Sequence, residues 1–192
     1  MGPDRDIFLS ADWRYLAMLN YEIDPAVLHP LVPAGTKLDD FGGKTFVSIV
    51  GFLFLNTRVL GVSIPFHRDF EEVNLRFYVQ REVGDERRRG VVFVRELVPR
   101  RAIAWTANLV YGEHYSAVPM RHAIDRSSAG EVRGAEYAWR FAGRGDRMAV
   151  EVSGAPQEAA AGSLEEFITE HYWGYARQRS GKTVEYEVKH PR

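Results

Sequence analysis

Along residues 72–79 apolar and polar side chains alternate without a break. Val73, Leu75, Phe77 and Val79 fall on one side of an extended strand, and Glu72, Asn74, Arg76 and Tyr78 on the other. The same period continues over 90–98, where Val91, Phe93 and Arg95 oppose Val92, Val94 and Glu96; Gly84-Asp85-Glu86 between the two runs reads as a hairpin tip. Upstream, Trp13, Tyr15, Ala17, Leu19 and Tyr21 share one face of an extended segment over 11–21. Residues 44–55 are nearly all apolar, as in a strand buried on both faces, and Gly51 within them predicts a bulge or bend. Further strands are expected after Tyr115 to about Ala123, over 131–141, over 147–152 and over 183–189, with Gly143-Arg144-Gly145-Asp146 as a hairpin turn.

Three segments leave the period of two. Asp24-Pro25 places an aspartate at N-cap and a proline at the first helical position, and Pro30 and Pro33 keep that helix short. Ile103, Ala104, Ala107, Asn108 and Tyr111 recur at three and four residues, which predicts a helix ending at Gly112. Ser163-Leu164-Glu165-Glu166 is a capping box, and Leu164, Phe167, Ile168, His171, Tyr172 and Tyr175 extend an apolar stripe toward Arg179, with Gly181 as the stop. About eight strands and three helices, arriving as strands with occasional helices, predict an α+β fold that is mainly antiparallel β and barrel-like, rather than βαβ winding.

Composition narrows the function classes without naming one. A chain of 192 residues with 45% hydrophobic content is expected to form a single domain over 1–192 with a sizeable core. The net charge of -1 gives no footprint for nucleic acid, and the arginines of 81–89 sit among Glu82, Asp85 and Glu86, as on a hairpin tip. Cysteine is absent, which removes disulfides and thiolate chemistry and fits a cytoplasmic location. No signal peptide and no run of membrane-spanning length is visible, so no membrane partner is expected. A homodimer rests on base rates alone.

The chemistry of the side chains points the same way. The six histidines, His29, His67, His114, His122, His171 and His190, form no pair at metal-ligand spacing, so no metal is expected. No nucleophile elbow, Walker loop or dinucleotide fingerprint is present; Gly42-Gly43-Lys44-Thr45 lacks the first glycine of a phosphate loop and enters a strand. No cofactor is therefore expected, and any chemistry would have to be acid-base and electrostatic. The polar face of the 72–78 run remains: a carboxylate, an amide, a guanidinium and a phenol in alternate positions. Half-polar strands most often face water. Turned inward, the same four residues would form a site for a small polar ligand.

The order of the motifs resembles the DUF2071 (YqjF-like) family. The resemblance rests on Phe70-Glu71-Glu72-Val73-Asn74-Leu75-Arg76-Phe77-Tyr78-Val79, on Gly90-Val91-Val92-Phe93, on Ala107-Asn108 with Tyr111-Gly112-Glu113-His114-Tyr115 and Met120, and on Ser163 to Tyr172 with His190-Pro191. Asn108 departs from it, since the family pattern has arginine after that alanine. The end at Arg192 also departs, since family members commonly continue, and truncation would account for it. The family is of unknown function and is similar to acetoacetate decarboxylase, which implies a β-barrel or cone with a central cavity and turns Glu72, Arg76 and Tyr78 inward. Decarboxylation in that relative uses a lysine of lowered pKa, an example also standard in general accounts of amine nucleophiles. By resemblance that lysine's place falls on Tyr115, and the chain's four lysines, Lys37, Lys44, Lys182 and Lys189, lie outside the central stretch. Schiff-base decarboxylation is therefore not expected. Glu72 and Tyr115 are the catalytic candidates, and Asn74, Arg76, Tyr78, Asn108 and His114 the ligand-binding candidates for a small polar or carboxylate-bearing molecule. A binding or interaction module with a structural polar interior stays open as the alternative. A surface-interaction role for the aromatic helix around Tyr172, Trp173 and Tyr175 is the weakest reading.

Overall fold

The structure, a computed structural model, describes residues 9–63, 68–104, 114–178 and 180–188. Its strands are β1 (Leu9–Ile23), β2 (Lys37–Leu38), β3 (Thr45–Val59), β4 (Phe70–Val83), β5 (Glu86–Val98), β6 (Tyr115–Ala117), β7 (Met120–Arg126), β8 (Val132–Phe141), β9 (Arg144–Glu151), β10 (Trp173–Arg177) and β11 (Thr183–Glu187). The helices are short: α1 (Pro25–Leu28), a 3-10 turn at His29–Leu31, a helical turn over 101–104, and α2 (Leu164–Thr169). The mainly-β character is as expected. The remainder of the helix expected up to Tyr111, with Asn108 and Gly112, lies outside the described residues, as do His67 and His190.

An eight-stranded sheet runs β1-β3-β4-β5-β10-β11, with β2 on β4 and β6 on β5; β7-β8-β9 form a second sheet. Most pairs are antiparallel, but β5 pairs in parallel with both β6 and β10. Among the described residues the strand path closes no ring. One face of the large sheet packs its Leu53, Val73 and Leu97 against Ala135, Tyr137 and Met148 of the second sheet. Gly51 lies at a register slip, opposite the bulge of β1, and also serves this contact: a Cβ there would lie 2.6 Å from the Tyr137 ring, so only glycine lets the two sheets approach.

Bulges change two of the expected faces. In β1 the register slips between Arg14 and Ala17, with Tyr15 at φ 58°. Trp13 consequently packs on Phe52 and Phe54, while Ala17 turns to the opposite face beside Tyr137; the two do not share a face. The freed carbonyl of Tyr15 accepts the Tyr137 hydroxyl at 2.7 Å. In β5 the register slips opposite Leu75 and Arg76, so Glu96 faces Asn74 and Val92 faces Phe77, on opposite sides of the sheet.

The carboxy-terminal helix is much shorter than its stripe implied. Ser163 Oγ caps the Glu166 amide at 3.2 Å, but the helix ends at Thr169 and Trp173–Arg177 is a strand. Pairing to β5 overrides the helical period there. The glycines make that seam: a Cβ on Gly90 would lie 2.5 Å from the Trp173 carbonyl oxygen. The strand expected from Tyr115 to Ala123 is two, β6 and β7, broken at Val118-Pro119. The hairpin turn falls at Ala142-Gly143, both with positive φ, two residues before the expected place.

Candidate functional site

The polar side chains of β4 lie on the face away from the second sheet, between two apolar clusters. At one end Phe70 packs with Val50, Phe52, Phe54, Val98 and Ala104. At the other end Tyr78 packs with Phe46 and Val91 under Phe167 and Ile168 of α2. Glu72, Asn74 and Arg76 occupy the interval, with Glu96 directly across from Asn74. Period-two alternation on a strand sandwiched by these clusters brings the group out of water.

Glu72 is 2% exposed. Asn74 Nδ2 donates to its Oε1 at 3.0 Å, and the Tyr115 hydroxyl donates to its Oε2 at 3.1 Å. Tyr115 reaches it because β6 pairs beside Glu96, and it is also in hydrogen-bond contact with Glu96. Burial pushes the Glu72 carboxyl up to about 7, against the opposing effects of Asn74, Tyr115 and the Arg76 charge. Burial, with the charges of Glu72 and Glu96, pushes the Tyr115 phenol well above its ordinary value and keeps it a donor. No ion pair joins Arg76 to Glu72; the guanidinium acts on it through space, and the buried Nε of Arg76 meets no hydrogen-bond partner among the described residues.

Tyr78 is buried on this face, but its hydroxyl is spoken for. Ser48 Oγ donates to Asn20 Oδ1 at 2.6 Å, so its single proton is used and the Tyr78 hydroxyl, 2.5 Å away, donates to Ser48. The ring of Tyr78, rather than its oxygen, faces the rest of the site, with the Arg76 guanidinium carbon 5.7 Å from its centroid. His114 is exposed, and its carbonyl accepts the Glu96 amide at 3.2 Å; its side chain does not join the group. Of the seven expected site residues, five converge, His114 stands apart, and Asn108 lies outside the described residues.

A second polar group beyond Tyr78 was not expected. Asp39 Oδ2 accepts from Arg89 Nε at 2.7 Å and from His171 Nε2 at 3.1 Å, and Oδ1 accepts from Gln80 Nε2 at 3.0 Å. Burial alone would raise the Asp39 carboxyl, but the hydrogen bonds and charges of His171 and Arg89 hold it below its ordinary range. Burial also lowers His171, which is 6% exposed and packed on Tyr78 and Phe167. A histidine within an apolar stripe was the available signal; its partner lies 132 residues away in a turn and left no pattern.

Among the described residues no cluster of histidine, aspartate or glutamate could hold a metal ion, and no helix is long and apolar enough to cross a membrane. Two surface hollows, of about 480 and 430 Å³, are lined by residues such as His29, Val32 and Lys37, and Glu22, Pro25 and Lys44; neither touches the Glu72 group.

Comparison with known proteins agrees with this arrangement at the level of family and fold. The DUF2071 family model, described as an uncharacterized conserved protein, matches residues 10–192. The uncharacterized protein YqjF of Bacillus subtilis is 32% identical over 78 residues, which is 40% of this chain and 32% of that protein, so the match spans about a third of its length. Among solved structures, acetoacetate decarboxylase from Legionella pneumophila superposes with a TM-score of 0.60 at 12% identity, covering 96% of this chain and 68% of that one. An acetoacetate decarboxylase-like enzyme from Sphingomonas wittichii gives 0.60 at 18% identity, covering 92% and 69%. The enduracididine biosynthesis enzyme MppR, complexed with a condensation product of pyruvate, gives 0.56 at 14% identity, covering 80% and 58%. At such identities the likeness is one of fold.

Proposed function

This chain belongs to the DUF2071 family, and from its geometry we propose that it binds a small polar or carboxylate-bearing molecule against the polar face of β4 and transforms it by acid-base chemistry at Glu72. One observation carries the reading: a fully buried carboxyl, raised to about 7, lies beside a phenol donor and a guanidinium with an unused N–H. A group of that pKa takes up and releases protons at neutral pH. Arg76 would meet the ligand's anionic oxygen, and Tyr115 would hold Glu72 in place. That the large sheet wraps into the barrel or cone implied by the family resemblance, with this face inside, is part of the same proposal. The acetoacetate decarboxylase and MppR structures lend support through fold alone.

Lysine chemistry is not part of it. Lys37 and Lys44 are exposed and paired with Glu82 and Glu22, and Lys182 is exposed. Tyr115, the first residue of β6, stands at the position where the resemblance places the lysine and has no amine. A non-catalytic binder is the second reading, and a specific observation favours it: both oxygens of Glu72 already accept a hydrogen bond within the protein.

Native mass spectrometry of the full chain purified from its host, followed by calorimetric titration with acetate, propionate and pyruvate, tests the proposal. A bound small acid, and affinity for these probes that falls at least about tenfold in Arg76→Ala, are expected. Unchanged binding in that variant, or none in the wild type, would remove it. Turnover by the wild type that is lost in Glu72→Gln separates enzyme from binder.

A further inference from the structure

His171 lies beside the Arg76 end of this site and offers it a second polar atom. Its Nε2 is committed to Asp39 Oδ2 at 3.1 Å. Asp39 also takes the Arg89 guanidinium at 2.7 Å, so it is an ionised acceptor, and the nitrogen facing it carries the proton. Neutral His171 is then in one tautomer, with Nδ1 as a bare lone pair. Nδ1 is buried and meets no hydrogen-bond partner among the described residues. Leaving such an atom unpaired costs stability.

Tyr78 links this atom to Arg76. The His171 ring lies 4.7 Å from the Tyr78 ring, and the Arg76 guanidinium carbon lies 5.7 Å from that same ring. The two side chains are close enough for the Arg76 charge to act on His171. Among the described residues, the buried polar atoms without a partner near Tyr78 therefore include one donor, Arg76 Nε, and the acceptor His171 Nδ1, with Gln80 Oε1 and Asn74 Oδ1 as further acceptors along β4. The Tyr78 hydroxyl competes for neither Arg76 Nε nor His171 Nδ1, because it donates to Ser48.

We infer that the ligand of this site carries, besides its carboxylate or carbonyl oxygen, a hydroxyl or amine donor, which His171 Nδ1 accepts while Arg76 Nε binds the oxygen. The inference rests on the binding reading above and narrows it from small acids in general to hydroxy acids and their nitrogen analogues. An oxo acid presents only acceptors and would leave Nδ1 unpaired. Asp39 acts through His171 as a positioning residue: it fixes the ring and selects the tautomer.

Matched pairs test it on the full-length protein: lactate against propionate and pyruvate, and 3-hydroxybutyrate against butyrate. Calorimetry is expected to show each hydroxy acid bound at least about tenfold more tightly than its partner. In His171→Phe, which keeps a ring against Tyr78 and Phe167, that preference is expected to vanish. Nitrogen-15 spectra of the wild-type histidines supply a readout independent of folding in the variant. His171 should show protonated Nε2 and unprotonated Nδ1, with the Nδ1 resonance moving on adding lactate and staying put with propionate. Equal affinity within each pair, or an Nδ1 resonance that ignores lactate, overturns the inference while leaving the binding reading intact. Failure of every acid to bind overturns both.

Discussion

Asp39 and Glu72 are two carboxyls buried at two stations on one face of the same sheet, and they are held by different kinds of neighbour. Asp39 receives a guanidinium, an imidazole and an amide within hydrogen-bond distance, and sits below the ordinary carboxylate range. Glu72 receives an amide and a phenol, both neutral, while Arg76 influences it only through space, and it sits near about 7. Two buried carboxyls thus show opposite protonation behaviour: Glu72 is the more deeply buried and only neutral groups hydrogen-bond it, whereas at Asp39 direct hydrogen bonds from Arg89 and His171 offset the desolvation. The first arrangement suits structure: a charge that stays a charge. The second suits proton transfer.

The largest effect is expected from Asp39→Ala. It leaves Arg89 and His171 without their shared acceptor at the point where α2 packs on Tyr78, and should cost about 3 kcal/mol in urea unfolding. A loss below about 1 kcal/mol would mean that solvent already screens the pair through the partly exposed Arg89.

Glu72 should respond with the opposite sign to pH. Its folded value of about 7 lies above the ordinary 4.5, so the folded state holds the proton more tightly across that window. Stability from this group is present below about 4.5, falls as pH rises toward about 7, and is flat above. The full swing is about 3 kcal/mol at most. Glu72→Gln should abolish that slope, measured as the wild-type-minus-variant difference in unfolding free energy between pH 5 and pH 8. Asp39 contributes the reverse: its folded value is depressed, so its stability is present above the ordinary 3.8 and lost as pH falls through the folded value.

Much of the Glu72 station was legible along the chain, and little of the Asp39 station was. Alternation put Glu72, Asn74, Arg76 and Tyr78 on one face because β4 itself carries no bulge. Which way that face turned was not legible from alternation; the family resemblance supplied the inward expectation, and the apolar clusters at Phe70 and Tyr78 account for it. Pairing of β6 beside Glu96, which delivers Tyr115, depends on a parallel contact without local pattern. The Asp39 station joins a turn, a hairpin strand and the end of a helix, far apart in the chain. The apolar stripe through Tyr175 read as helix because strand residues 173–177 happen to continue a four-residue spacing. Bulges at Tyr15 and opposite Leu75 likewise shifted faces in β1 and β5 that strict alternation assigned wrongly.

Smaller effects sharpen the contrast between stations. Gly90→Ala should open the β5–β10 seam, since its Cβ meets a backbone carbonyl that cannot step aside, and cost about 2 kcal/mol. Hydrogen exchange should then rise around 171–177 and stay low at 72–76; a uniform rise would mean the two stations are not separable. Tyr115→Phe removes one donor from Glu72 and should cost about 1 kcal/mol. Because that hydrogen bond lowers the carboxyl, its loss should move the Glu72 titration further upward, read in the same stability-versus-pH profile.

The most direct measurement is a titration of the Glu72 carboxyl itself, by carbon-13 NMR of glutamate-labelled protein with Glu72→Gln as the assignment. One glutamate carboxyl resonance, missing in the variant, is expected to titrate at about 7; in a second, aspartate-labelled sample the Asp39 resonance, assigned by Asp39→Asn, is expected to stay that of a carboxylate across the same window. A Glu72 resonance titrating in the ordinary range near 4.5 would contradict the distinction between the two stations and leave Glu72 no proton to transfer at neutral pH.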